Sequence, residues 1–111
     1  MQCYAVGILR QVQMGPPIVA YLERIDATLA PFGGHFIVHG GKTEVLEGTD
    51  PGTLIIIEFP DQDHARRWYA SGAYQQILPL RTENSHSTVL LIDGVDHAHK
   101  ATDVLRPYPR G

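Results

Sequence analysis

The sequence contains one cysteine and no apolar run long enough to cross a membrane. The lone Cys3 has no partner for an intrachain disulfide, which excludes a disulfide scaffold and suits a reducing compartment. The longest nearly apolar stretch, TLIIIEF over residues 53–59, is far short of the ~20 residues that span a bilayer. The first residues lack a basic stretch followed by an apolar one, so we expect no signal peptide. These absences predict a cytoplasmic protein with no membrane partner.

The chain also lacks an excess of positive charge. It has 9 Lys and Arg against 12 Asp and Glu, for a net charge of −3 and a pI near 6.0. A nucleic-acid partner is therefore not expected. At 111 residues with 43% hydrophobic composition, the sequence predicts one folded domain over residues 1–95. Residues 96–111 contain two prolines and little apolar content, and we expect them to form a C-terminal tail.

Apolar periodicity and turn residues predict the order of the elements. The predicted elements are a strand over 3–9, a helix opened by Pro16-Pro17, strands over 35–39 and 54–59, a helix capped by Asp61, a short helix over 74–80, and a strand over 87–93. Residues 42–48 are expected to continue the second strand after a kink at Gly40-Gly41, giving a long hairpin with the third.

The order βαββαβ is typical of an α+β, ferredoxin-like fold, a four-stranded antiparallel sheet with helices on one face. The strands IIIEF and VLLI are apolar without alternation, so both faces of the sheet are apolar. A monomer would expose one of these faces to water as a large apolar patch. We therefore predict a homodimer in which the two sheets face one another.

Five segments carry a family resemblance: FGGHFIVHGG, EVLEG, IIIEFP, WYASGAY and LR, in this order over residues 3–95. They resemble the family called domain of unknown function 1330, of the dimeric α/β-barrel superfamily. The resemblance implies a ferredoxin-like protomer and a dimer with a cavity at each sheet. The superfamily includes cofactor-free monooxygenases, isomerases, cyclases, dehydratases and some haem enzymes. Where the family usually carries arginine, this chain has His35 and His39, which points to a specialised role.

His35 and His39 are the first candidate catalytic residues. Strict alternation along a strand places both on one face, ~13 Å apart, which is too far to share a metal ion. An enclosed histidine acts as a general acid or base near neutral pH. The alternative is that both replace arginines as polar groups at the strand ends. We expect neither a metal nor a cofactor.

Glu58 is the second candidate, because it interrupts the apolar strand 54–59. If Phe59 packs under Trp68, Glu58 turns to the other face of the sheet, inside the dimer. Burial of an unpaired carboxylate costs several kcal/mol or raises its pKa, and either effect suits an active site. The alternative is a structural ion pair with Arg81 or a histidine.

Arg81 and three tyrosines complete the candidate site. Arg81 matches the family arginine and suits a carboxylate or enolate oxygen, although a helix-end arginine also binds backbone carbonyls. Tyr4, Tyr69 and Tyr74 are candidates for holding a flat apolar ligand, the alternative being that they belong to the core. The resemblance implies that Tyr4 faces the cavity.

The leading functional hypothesis is a small cofactor-independent biosynthetic enzyme that acts on an apolar cyclic or polyketide-like molecule by acid–base chemistry. Isomerase, cyclase, dehydratase and monooxygenase reactions all fit. The alternative is a non-catalytic dimer that binds a small ligand or another protein. A cavity of roughly a few hundred Å³ that holds Glu58 and a histidine would favour the enzyme, and a filled cavity the alternative.

Overall fold

The structure, a computed structural model, describes residues 1–105. Its strands and helices are β1 (Cys3–Arg10), α1 (Pro16–Leu29), β2 (His35–His39), β3 (Thr53–Phe59), α2 (Gln62–Ala70), α3 (Gly72–Thr82) and β4 (His86–Asp93). A short 3₁₀ turn follows α1 at Ala30–Phe32, and another follows β4 at Ala101–Leu105. The predicted order is confirmed, including the two consecutive helices α2 and α3, and α3 is longer than the predicted helix over 74–80.

The four strands form one antiparallel sheet in the order β2-β3-β1-β4. This arrangement confirms the predicted ferredoxin-like α+β fold. Alternate residues of β1 (Cys3, Ala5 and Gly7) point toward the helices, and the residues between them point to the opposite side of the sheet. We call these two sides the helix face and the open face.

Local sequence explains where each helix begins and ends. Proline occupies the first turn of α1, where its missing N–H costs no hydrogen bond. Gly33 ends the 3₁₀ turn after α1 in the left-handed conformation, with φ 67°. Asp61 caps α2 by accepting from the His64 backbone N–H at 2.9 Å. Ser71 ends α2 and caps α3 in turn, since its extended backbone interrupts the helical path.

The core lies between the helix face and the three helices. Phe59 packs against Trp68 with ring centres 5.4 Å apart, as the sequence predicted. The Trp68 indole N–H donates to the Thr28 hydroxyl at 3.0 Å, so its polar atom is satisfied inside the core. The buried apolar residues of this core are Cys3, Ala5, Tyr21, Ile25, Leu29, Ile57, Phe59, Ala65, Trp68, Tyr74 and Ile77.

The prediction that residues 42–48 continue the second strand is wrong. Gly40 adopts a left-handed conformation, with φ 65°, and its N–H donates to the Leu54 carbonyl at 3.1 Å. This hydrogen bond is at the end of the β2–β3 pairing. Because β3 begins at Thr53, no strand lies opposite residues 42–48. The segment is a loop instead, and its Leu46 side chain is 85% exposed.

A bulge in β2 separates the two candidate histidines. Phe36 pairs with Ile57 and Val38 with Ile56, so Ile37 has no partner in β3. The extra residue reverses the alternation, so that His35 lies on the open face and His39 on the helix face. The expectation that both rings share one face is therefore wrong.

None of the helices α1–α3 covers the open face, although it is rich in apolar side chains. Its apolar residues are Val6, Ile8, Val38, Leu54, Ile56, Leu90 and Ile92. The side chain at the β4 end of this face, Ile92, is 54% exposed. The predicted two-sided apolarity of the sheet is thus present, and one side is open in a single chain.

The segment after β4 carries no buried residue as far as the structure describes it, and the last part of the predicted tail, residues 106–111, lies outside the described residues. Within residues 1–105, no helix has the length and apolar character needed to cross a membrane.

Candidate functional site

A cavity of about 70 Å³ lies between the helix face of the sheet and the helices. Most of its lining is apolar, including Ala5, Ile18, Ile25, Ile55, Ile57 and Trp68. Four polar or titratable side chains also line it: Tyr21, His39, Tyr74 and Arg81. The cavity therefore combines an apolar wall with a few polar groups, as small-molecule sites do.

Arg81 is the most unusual of these side chains because it is charged and only 5% exposed. It lies in the last turn of α3, and its Nη1 donates to the Ser87 hydroxyl on β4. Its guanidinium carbon is 5.9 Å from the centre of the Tyr21 ring. Burial opposes the charged form, but Tyr74 and Tyr21 outweigh it and raise the pKa of Arg81 above its ordinary value. The guanidinium therefore stays charged inside the protein.

The Tyr21 and Tyr74 hydroxyls lie 2.8 Å apart and share a hydrogen bond. Their rings meet edge to face, with centres 6.2 Å apart. Burial, followed by the proximity of Tyr74, raises the pKa of Tyr21 well above its ordinary value. Tyr21 is consequently a neutral hydroxyl at physiological pH, next to a charged arginine.

His39 is exposed and also lines the cavity, which places it at the mouth. Its ring stacks on Phe36, with centres 4.3 Å apart and planes 10° from parallel. The bulge in β2 is what directs the His39 ring to this side of the sheet. A histidine in this position can exchange protons with solvent and with a bound molecule.

Glu58, His35 and Tyr4 form a second group, on the open face. Glu58 is opposite Tyr4 on one neighbouring strand and His35 on the other. Its Oε1 lies 3.6 Å from Nε2 of His35. The prediction that Glu58 turns away from the helices is confirmed, and its ion-pair partner is the histidine rather than Arg81. These three residues do not line the cavity, so the structure divides the predicted site between two faces.

Tyr69 lies outside the cavity as well. Its ring packs against Tyr74 with centres 5.5 Å apart, and it lines a shallow surface depression with Arg66 and residues 89–91 of β4. Cys3 is buried and free. Within residues 1–105, no three His, Cys, Asp or Glu side chains are grouped to hold a metal ion.

Sequence reasoning missed Tyr21, Phe36 and Ser87. Tyr21 lies three residues after Ile18 and four before Ile25, which is the helical spacing of the apolar stripe of α1. This spacing could have predicted that Tyr21 faces the sheet. The contact between Ser87 and Arg81 carries no such signal, because it depends on how α3 and β4 meet.

The chain matches one protein family and several solved structures, but no curated protein. The model of the family described as "Domain of unknown function (DUF1330)" matches residues 2–95. Among solved structures, the methylated RPA0582 protein has a TM-score of 0.68 and 14% identity, covering 88% of this chain and 84% of that one. That protein comes from Rhodopseudomonas palustris, and its function is unknown.

Two further solved structures share the fold. A dimeric ferredoxin-like protein of unknown function from Jannaschia sp. CCS1 has a TM-score of 0.58 and 10% identity, over 85% of this chain and all of that one. A mutant form of SnoaB, a cofactor-independent oxygenase from Streptomyces nogalater, has a TM-score of 0.56 and 19% identity, over 89% of this chain and 98% of that one. At these identities the likeness concerns the fold alone.

Proposed function

This chain belongs to the DUF1330 family, and we propose that it is a small cofactor-independent enzyme whose active site is the cavity beneath the sheet. The observation that carries the proposal is that an exposed histidine, His39, and a buried arginine, Arg81, line the same mostly apolar cavity. An apolar wall holds the body of a substrate and excludes water, which strengthens the electrostatic effect of the charged group.

We assign roles in acid–base chemistry to three of the polar residues that line the cavity. His39 removes a proton from the substrate, or returns one, and exchanges it with solvent at the mouth. Arg81 stabilises the negative charge that develops on a substrate oxygen, and the hydroxyl of Tyr74 donates beside it. Isomerisation, cyclisation, dehydration and cofactor-free oxygenation all use this set of groups. The SnoaB structure supports the proposal to the extent that this fold accommodates a cofactor-independent oxygenase.

The size of the cavity limits the substrate. A cavity of about 150 Å³ holds benzene, and the present volume is about 70 Å³. A single-ring substrate, the smallest member of the proposed apolar cyclic or polyketide-like class, therefore requires the cavity to widen. Leu22 lines the cavity and is 41% exposed, so its side chain has room to move outward.

We assign the second group, Glu58 with His35 and Tyr4, to the interface of a homodimer. The open face exposes apolar strands that a second copy of the chain would cover. The Glu58–His35 ion pair then lies at this interface rather than in the chemistry. Light scattering at micromolar concentration should give twice the chain mass of 12.3 kDa, and a mass of 12.3 kDa would contradict the assignment.

A fragment screen by native mass spectrometry, followed by two matched variants, tests the site. His39→Ala and His35→Ala remove the same side chain from one strand, four residues apart and on opposite faces. Fragments that bind the protein should lose affinity in His39→Ala and keep it in His35→Ala. Once a substrate is known, turnover should follow the same pattern, and Glu58→Gln should retain it. Equal effects of the two histidine variants would refute the assignment of the cavity.

The small cavity volume favours one alternative function, a non-catalytic dimer that binds a small ligand or another protein. In that case fragments bind without being converted, and His39→Ala alters affinity alone. Conversion of any cavity ligand, abolished by His39→Ala, distinguishes the enzyme from this alternative.

A further inference from the structure

The charge of Arg81 has no counterpart among its neighbours. Its guanidinium donates to the Ser87 hydroxyl and lies near the Tyr21 ring, and Tyr74 also influences its pKa. All three of these side chains end in a hydroxyl and none in a carboxylate. Within residues 1–105, no carboxylate forms an ion pair with it. Buried charges in proteins are normally paired, since removing an ion from water costs several kcal/mol. An unpaired guanidinium at the wall of a cavity is therefore positioned for an external anion.

Tyr21 does not supply the missing negative charge. Burial raises the pKa of Tyr21, so this phenol stays protonated at physiological pH. The shared hydrogen bond between Tyr21 and Tyr74 uses one hydroxyl hydrogen and leaves the other available to a ligand. The tyrosine pair thus offers one hydroxyl donor that complements the guanidinium.

The remaining lining of the cavity defines the rest of the ligand. Ile55 and Ile57 on the sheet and Ile25 on α1 contribute to the apolar wall of the cavity that Arg81 also lines. A guanidinium presents a planar fork of N–H groups that fits a carboxylate better than a single oxygen. An uncharged polar ligand would leave the buried charge unpaired, whereas a carboxylate would pair with it in a low dielectric.

We propose that the cavity takes a small monocarboxylate with an apolar body, its carboxylate held by Arg81 and the Tyr21–Tyr74 hydroxyls. This inference rests on the proposed function and narrows its substrate class. Arg81 accordingly binds the substrate before any reaction, in addition to stabilising charge that develops later. The apolar body lies toward the mouth, where His39 reaches it.

Matched pairs of neutral and charged probes test the proposal on the intact chain. Binding of butyrate and butyramide, and of benzoate and benzamide, is measured by NMR titration at neutral pH. Each carboxylate should bind at least tenfold more tightly than its amide and shift the resonances of cavity residues. Equal affinity for acid and amide in the cavity would overturn the carboxylate assignment while leaving the small-molecule site intact. If neither member of any pair binds in the cavity, both the inference and the proposed function are wrong.

Two arginine variants test whether the preference for the carboxylate over the amide depends on Arg81. Arg81→Met keeps an unbranched, though shorter, side chain without the charge and should abolish the preference for the acid. Arg67→Met removes an exposed arginine that pairs with Asp63 at 2.7 Å, and it should keep the preference. Loss of the preference in both variants would indicate net charge rather than a site and would overturn the proposal. If Arg81→Met does not fold, the acid–amide comparison on the unaltered chain still decides.

Discussion

The hydrogen bond between Tyr21 and Tyr74 should make a measurable contribution to stability, because both hydroxyls are buried at the centre of the site. Tyr21→Phe removes one hydroxyl, and Tyr74→Phe removes the other. The cost of each single substitution is that of the lost hydrogen bond, about 1 kcal/mol.

A double-mutant cycle separates this bond from other effects of the substitutions. Urea unfolding of the two single variants and the double variant should give a coupling free energy of about 1 kcal/mol, and each single variant should melt roughly 4 °C lower. All samples need equal protein concentration, since a dimer's stability depends on it. Tyr69→Phe is the matched control, because this tyrosine is exposed, and it should change the free energy of unfolding by less than about 0.5 kcal/mol.

A coupling free energy near zero, with single variants as stable as the control, would refute the reasoning. It would mean that the two hydroxyls do not meet in solution. The donor arrangement proposed for the ligand carboxylate would then lose its basis as well.

Three further predictions concern the fold. A Cβ at Gly34 would lie 2.6 Å from a ring carbon of Phe59, so Gly34→Ala should destabilise the protein by about 1–3 kcal/mol. The control is Gly41→Ala, whose Cβ would meet nothing within 4 Å. An equal loss of stability in both variants, measured by thermal melts, would contradict the packing around Gly34. Hydrogen bonds from the backbone and ring of His64 lower the pKa of Asp61, so its contribution to stability is present above about pH 3.9 and is lost as pH falls through the folded-state value. Asp61→Asn keeps the cap without titrating, and its melting temperature should fall less steeply in acid; parallel curves would refute this. Deletion of residues 97–111 should leave the cooperative melt largely intact, and loss of folded protein would show that the tail is part of the domain.

The sequence predicted the fold well because its signals are local and repeated. The apolar stripe of α1, the cap at Asp61 and the apolar strands each specify an element without reference to the rest of the chain. The register of β2 is different. One unpaired residue, Ile37, reverses the alternation of side chains between the two faces of the sheet. A strand of five residues is too short for such a bulge to be visible in the apolar pattern.

That one residue accounts for the error in the predicted facing of the two histidines. Strict alternation put His35 and His39 on one face, whereas the family resemblance and the predicted dimer put the cavity on the open face with Glu58. The structure instead places His39 in the lining of the same cavity as Arg81, and it leaves Glu58 with His35 on the open face. The sequence singled out the candidate residues, whereas their grouping depends on which face of the sheet each one occupies. Contacts between α3 and β4, such as Arg81 with Ser87, are likewise set by packing and not by spacing.

The central claim is that the functional site lies between the helices and the sheet. A crystal structure with a bound carboxylate probe from the NMR titrations tests this claim most directly. The account predicts ligand density in the cavity, with the carboxylate against Arg81, the apolar body toward His39, and Leu22 displaced at the mouth. Density for the ligand on the open face, beside Glu58 and His35, with the cavity unchanged, would contradict it.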